Sequence, residues 1–481
     1  RGYAMPPWAA GRVLGPRIGA AYWGRCIGAA VLRWGAEARR GGPRHHFETR
    51  IRLAAGMMPV SIVARAAART ITSGATSNAC QFQVETDVSA RRGHITVVIG
   101  APVDFSSRTA EDTAQDTAPA REKRSDLMGR IRIGIVGAGA NTRLRHIPGF
   151  RDLADVELAG VVNRTPASTR QSAQRHGIER TYDDWRALVD DDALDAVMIG
   201  TWPNMHCEIT CAALQAGKHV LTEARMARTL AEARRMLDAS QARPDLVTQI
   251  VPSPFGLEHH PHVMQLLQDD FLGEFRELVV VGVDDSFYDP QTPLHWRQDA
   301  SISGVNVLTL GIMHETAIRW APAPEQVFAQ SAIHVPQRPA ADGDATVAAT
   351  VPDSLQILTR LPGGGRGLYH MSGVNLHGPA RQIHLYGSRG TIKLIFADRE
   401  ELYVGRAGDE GLRRVELPEE QRGGWRVEAE FVGAIRGEER VQFTDFSTGL
   451  AYMEFTEAVA RSARENRPLA LPLQPASDGE S

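Results

Sequence analysis

The stretch from Ile131 to Thr142 limits the possible fold more than any other. Ile131, Ile133, Ile135 and Val136 form a short, nearly all-apolar run, the pattern of a parallel strand buried on both faces. The sequence GAGANT, Gly137 to Thr142, follows at once. Gly137 permits a tight turn there, and Gly139 lets the backbone approach a pyrophosphate at the N-terminus of the next helix. Thr142 stands where such a turn usually has its third glycine or an alanine.

Strand and helix signals alternate from there on. A second strand, Val156 to Val162, ends in Asn163 and Arg164, and Asn163 lies 26 residues beyond Gly137. That is where a dinucleotide site meets the adenosine ribose. A carboxylate would suit the free hydroxyls of NAD, whereas an arginine with a small polar neighbour suits a 2′-phosphate, so NADP is expected over NAD. Asp195 to Thr201 is a third strand, followed by WPNMH and a helix over 207–216 that Gly217 ends. Lys218 to Leu221 is a fourth strand, which leads to Glu223. The alternation predicts a doubly wound parallel sheet. Cys207 and Cys211 share a helical face beside His206, but no fourth ligand is near, so they read as core thiols and no metal is expected.

Composition sets the outer limits. The 481 residues exceed one ordinary domain, and 54 basic against 57 acidic residues leave a net charge of -3. That balance gives no global pull toward nucleic acid. The four cysteines, Cys26, Cys80, Cys207 and Cys211, are too few for a disulfide scaffold and fit a reducing cytoplasm. The most apolar early stretch, 18–32, is interrupted by Arg25 and falls short of the roughly 20 residues of a spanning helix, so no membrane anchor is expected. Residues 1–127 carry no sustained periodic pattern and read as a disordered leader or an upstream reading-frame extension, with 94–99 an isolated strand. The rest divides into a nucleotide domain at 128–248, a substrate and oligomerisation domain at 249–475, and a frayed tail at 476–481.

The second half opens with a hinge, Gln249 to Gly256, and a polar helix carrying His259, His260 and His262, which read as solvated. Asp284 to Gln298 is long, aromatic and polar, as a substrate-facing loop on a rigid scaffold would be. In it Tyr288 and Trp296 offer ring faces, and Arg297 and Gln298 can hydrogen-bond hydroxyls or a carboxylate; WRQ can equally pin the loop. Seven short runs between Ala345 and Leu417 predict an antiparallel sheet paired in sequence order, whose open face would support a homo-oligomer. Helices over 425–436 and 446–465 close the chain.

Together, GAGANT, TWPNMH, AALQAGKHVLTEA, WRQD and LGIMHETAIRW resemble the Gfo/Idh/MocA family of glucose-fructose oxidoreductase and inositol dehydrogenase-like enzymes, over about residues 128–473. The resemblance implies an α/β Rossmann domain followed by an α+β domain with an open, mostly antiparallel sheet. It also implies NADP- or NAD-linked redox chemistry on sugars, cyclitols or similar polyols. The nucleotide would then meet Gly137, Gly139, Asn141 and Thr142 at the first turn, and Asn163 and Arg164 at the second strand. Thr201, Pro203, Asn204 and His206 would meet it at the third strand, and Glu223 at the fourth.

The chain departs from the family pattern where the chemistry is done. Glu223, Ala224 and Arg225 replace Glu-Lys-Pro, so the lysine that helps move the hydroxyl proton is Ala224 here. With Arg319 and Trp320 aligned, Met313 takes the histidine position and Thr316 the aspartate position, and His314 is displaced by one residue. His146 also lies one residue further from Gly137 than is usual. These changes leave His314 as the expected acid or base, with Glu223 and Arg225 beside the reaction. Three classes stay open: an oxidoreductase, a nucleotide-retaining lyase or hydrolase using transient oxidation, and a dinucleotide-binding sensor without turnover.

Overall fold

The computed structural model describes residues 87–91, 94–98, 129–340, 343 and 345–474. In the N-terminal unit, strands β1 (Asp87–Arg91) and β2 (His94–Val98) pair as an antiparallel hairpin, so the run from His94 is a paired strand. The expected leader and frayed tail otherwise fall outside the described residues.

The first sheet has six parallel strands: β3 (Ile131–Val136), β4 (Val156–Val162), β5 (Arg180–Thr181), β6 (Ala196–Ile199), β7 (His219–Thr222) and β8 (Thr248–Ile250). Their order is β5-β4-β3-β6-β7-β8, so the winding direction reverses beside β3. The connecting helices are α1 (Ile147–Arg151), α2 (Pro166–His176), α3 (Trp185–Val189), α4 (Pro203–Gln215) and α5 (Leu230–Gln241). Thr165 with Ser168 caps α2, and Thr229 with Glu232 caps α5, each satisfying amides that a helix start leaves unpaired. Ile131, Ile133 and Ile135 enter one core and Val136 the core on the opposite face, as a doubly covered strand requires.

The second sheet has nine strands in the order β18-β17-β16-β15-β9-β14-β13-β10-β19. They are β9 (Phe275–Val283), β10 (Gln326–Ala332), β13 (Ser354–Arg360), β14 (Arg366–Ser372), β15 (Arg381–Gly387), β16 (Gly390–Phe396), β17 (Glu400–Arg406), β18 (Arg413–Val415) and β19 (Leu469–Ala470). Sequential antiparallel pairing holds from β13 to β14 and from β15 through β18. Between those two groups β9 intervenes, parallel to β14 and antiparallel to β15. Strands β11 (Gln337–Pro339) and β12 (Thr346–Ala348) form a separate hairpin.

Helices α6 (His260–Gln268), α7 (Ala300–Ser303), α8 (Leu310–Ala317), α9 (Val427–Arg436) and α10 (Phe446–Glu465) complete the fold. Chain order does not separate the cores. Val427, Phe431 and Val432 of α9 pack with Ile131 and Ile133 of the first sheet and with Phe150 of α1. The expected hinge is tied down, because Gln249 Nε2 donates to Glu430 at 2.9 Å and the Ser253 amide donates to Glu315 at 2.6 Å. Among the described residues, no helix is long and apolar enough to cross a membrane.

Candidate active site

Two glycine turns interlock at the carboxyl end of β3. Gly137 has φ +89°, and a Cβ on it would lie 2.9 Å from the Gly200 carbonyl carbon and the Thr201 nitrogen. A Cβ on Gly200 would lie 2.2 Å from both Gly137 O and Thr142 Oγ1. Thr142 therefore occupies the third-glycine position without conflict: its hydroxyl donates to Gly137 O at 3.2 Å, in room that Gly200 leaves. The helix starts directly after the turn, and its first amides have no partner in their own helix, which is the geometry that receives a phosphate. Asn204 Oδ1, at the head of α4, is buried without a hydrogen-bond partner among the described residues. These residues fit a dinucleotide.

The extra residue before His146 is absorbed by a π-turn, Thr142–His146, in which the Ile147 amide donates to Thr142 O. A π-turn takes in one more residue than an α-turn, so the histidine is still delivered to the strand ends. There its ring is fully buried between two carboxylates. Its Nε2 lies 3.1 Å from Glu223 Oε1, and its Nδ1 lies 2.5 Å from Glu428 Oε1 on α9. Burial alone would pull the His146 pKa down, but its bonds to Glu223 and Glu428 outweigh that and raise it to about 9. Asn141 Nδ2 donates to Glu223 Oε1 at 2.6 Å, and Trp425 Nε1 donates to Glu428 Oε2 at 2.9 Å. Burial would raise the pKa of Glu223, but His146 and Asn141 prevail and hold it below the usual carboxylate range.

The other expected nucleotide residues divide in two. Asn163 is committed internally: its Oδ1 accepts from the Ala138 amide at 2.7 Å, and its Nδ2 donates to Ser168 O and Ser172 Oγ. It braces the glycine turn. His206 likewise spans Thr201 O at 3.1 Å and Arg225 O at 2.8 Å, tying the ends of β6 and β7 together. Arg164 lies in the open, with its guanidinium 5.7 Å from the Trp202 ring centroid. Trp202 stacks at 6.3 Å on Trp296, whose ring carries Arg297 at 4.2 Å. Pro203 opens α4 at its first turn.

Three expectations need correction. His314 is stacked on Phe455 at 3.6 Å, with Nδ1 2.9 Å from Tyr369 Oη, inside the core of the second sheet. Burial pushes its pKa down to about 3, so it is a neutral core residue. Arg225 is buried and spent inside the fold: its guanidinium donates to Ser303 Oγ, Asn306 O and Leu308 O. Burial, with Arg297 nearby, lowers its pKa to about 9. Gln298 is buried as well, its Oε1 accepting from the His295 amide and its carbonyl from the Thr350 amide, so it pins the loop. Tyr288 is half exposed, whereas Trp296 and Arg297 are only partly accessible, packed on each other and on Trp202.

Arg225 therefore braces the two halves of the molecule. Arg225→Ala is expected to destabilise the fold by about 3 kcal/mol, because it strips partners from several buried oxygens at once. Chemical denaturation would measure this.

Two of the three histidines of the α6 region, read as solvated, are engaged inside the fold. His259 Nδ1 meets Glu400 at 2.9 Å, and His260 accepts from Trp320 Nε1 at 3.1 Å. Cys207 lies in a hydrophobic cluster with Met226 and Leu230.

Sequence reasoning passed over Glu428 and Trp425. Glu428 lies 282 residues from His146, and no local spacing announces that contact.

Fold and cradle define a dinucleotide-binding protein with an appended sheet domain. Residues 131–251 match the oxidoreductase family with an NAD-binding Rossmann fold, and residues 260–393 match the GFO/IDH/MocA C-terminal domain. The chain belongs to this Gfo/Idh/MocA oxidoreductase family. It is 28% identical over 273 residues to levoglucosan dehydrogenase of Pseudarthrobacter phenanthrenivorans, covering 53% of this chain and 69% of that one. It is 24% identical to myo-inositol 2-dehydrogenase of Thermotoga maritima, over 59% of this chain and 81% of that one. A solved structure of levoglucosan dehydrogenase with NADH and L-sorbose superposes with a TM-score of 0.64 at 23% identity, covering 71% of this chain and 99% of that one.

Proposed function

We propose that the protein is an NADP- or NAD-linked oxidoreductase of a sugar, cyclitol or related polyol, and that Glu223 accepts the substrate hydroxyl proton. The observation that carries this reading is the junction of the glycine cradle with Glu223. A dinucleotide crosses the strand ends at the switch point, so its adenosine half belongs over β4 and its nicotinamide half over β6 and β7, where Glu223 stands. The bound dinucleotide supplies the hydride acceptor. Both partners of Glu223 among the described residues meet Oε1, so Oε2 is free to take a proton. At neutral pH Glu223 is a carboxylate, the form that oxidation of an alcohol requires, and His146 fixes its Oε1. Arg297, partly accessible on the Trp296 ring, provides donors for hydroxyls. The relatives' names, with levoglucosan and myo-inositol as substrates, support this substrate class.

Titrating the purified protein with all four nicotinamide dinucleotides tests the binding half of this reading, and failure to bind any of them contradicts it. NADP is expected to bind better than NAD, with Arg164 as the reason. Arg164→Ala should weaken NADP by about 10 to 150-fold, from the roughly 1.5–3 kcal/mol of a charged hydrogen bond, and NAD much less. Equal losses would mean that Arg164 does not read the 2′-phosphate.

The open face of the second sheet exposes Leu358 on β13 and Leu368 on β14, 57% and 42% accessible. Exposed leucines paired across neighbouring strands favour self-association, and a homodimer is expected. Placing glutamate at both positions should weaken association by about tenfold or more, measured by sedimentation.

A second reading is a nucleotide-retaining lyase or hydrolase, or a sensor without turnover. Ala224 and Met313, which cannot exchange a proton, favour it.

A further inference from the structure

The His146 site draws on three distant parts of the chain. Glu428 comes from α9, and Gly149 of α1 leaves room for it: a Cβ there would lie 2.8 Å from the Glu428 carboxyl carbon and Oε2. Trp425 Nε1 holds that same carboxylate at 2.9 Å, and Arg145 lies over the Trp425 ring at 4.3 Å. Glu428 Oε1 then meets His146 Nδ1, and His146 Nε2 meets Glu223 Oε1. Each ring nitrogen thus faces a carboxylate oxygen, which is the arrangement of an imidazolium that donates twice.

We propose that Glu428 is a positioning residue for the Glu223 carboxylate, acting through His146. It holds the imidazole doubly protonated, and the imidazolium in turn keeps Glu223 ionised, with Oε1 fixed and Oε2 free. Neither Glu428 nor His146 needs to touch a substrate. The effect on turnover rests on the reading of Glu223 as proton acceptor, but the arrangement itself exists in the protein alone. It supplies what Ala224 cannot: a group at the end of β7 whose charge is set from behind, by the C-terminal part of the chain.

The charged and titratable groups around the pair are few. Glu223 and Glu428 flank His146, and Arg145 lies over the Trp425 ring. Glu223 also feels His206, and its charge acts in turn on Arg297. His206 is buried with its pKa lowered, so it adds little positive charge at neutral pH.

The test uses the full chain without nucleotide or substrate. Isotope-edited NMR follows the His146 imidazole and the Glu223 carboxyl through a pH titration. In the parent, His146 is expected to titrate near pH 9 and Glu223 below the ordinary carboxylate range. In Glu428→Gln, which keeps the shape of the side chain, the His146 pKa should fall by at least about one unit and that of Glu223 should rise. Trp425→Phe removes the indole donor but keeps the Glu428 charge, and should leave His146 charged at neutral pH. An ordinary His146 titration in the parent overturns the proposal whether or not any variant folds. So does a Glu223 titration that Glu428→Gln does not move, which would make Glu428 a strut only. Because no turnover is read, a failed polyol assay would leave this result standing, and the two readings fail separately.

Discussion

Glu223→Gln is expected to lower the rate of the chemical step by about 100 to 10,000-fold, the usual worth of a positioned acid or base, while nucleotide affinity changes far less. The amide keeps the size of the side chain and can still accept from Asn141 through its oxygen, so the cradle should survive. What it loses is the ability to hold a proton on Oε2. In the parent, oxidation should also fade as the pH drops through the depressed pKa of Glu223, because its ionised form is the one that accepts. A variant that retains most of its turnover would move the proton acceptor elsewhere, and the open Tyr288 would be the next group to test.

Gly200→Ala is expected to cost at least about 100-fold in nucleotide affinity, together with about 3 kcal/mol of stability. One added methyl would meet Gly137 O and Thr142 Oγ1, each 2.2 Å from where the Cβ must stand. Neither obstacle is the loose end of a long side chain. The first is backbone, and the second is a buried hydroxyl bonded to that same carbonyl. The two turns must therefore separate, and the first turn carries the helix start that faces the pyrophosphate. Nucleotide titration and urea unfolding read the two effects independently; native affinity in the variant would show that the turns do not depend on each other.

Those glycines also mark how far the sequence could be read. Strands β3 and β4 and helix α10 lie where local pattern predicts them, because each has a run of apolar residues at the right period with clear stops. The antiparallel runs of the second domain were legible one by one, but their partners were not. Strand β9 enters between β14 and β15 from about a hundred residues upstream, and pairing across that distance leaves no periodic trace.

The site was legible in part: the glycine turn by its own chemistry, and Glu223 through the family resemblance. What no local pattern shows is that His146 joins Glu223 to Glu428, because those contacts arise through tertiary packing alone. His314 misled because a histidine beside a glutamate at a helix start looks reactive in one dimension. In the fold its ring faces Phe455 and Tyr369, and Glu315 turns to Ser253, Arg319 and Thr444. Arg225 misled for the same reason: nothing local shows that its guanidinium is consumed by backbone carbonyls from Ser303 to Leu308.

An oxidoreductase of this kind must reduce a nicotinamide dinucleotide at the expense of a polyol. The measurement is the near-ultraviolet absorbance of reduced nicotinamide when the purified full chain is mixed with NADP or NAD and a panel of sugars and cyclitols, including levoglucosan and myo-inositol. Reduction is expected with at least one member of the panel, as is its loss in Glu223→Gln. Tight nucleotide binding with no reduction across the whole panel would contradict this reading, and would make the absence of an ionisable side chain at Ala224 the defining feature of a protein that holds its dinucleotide without net turnover.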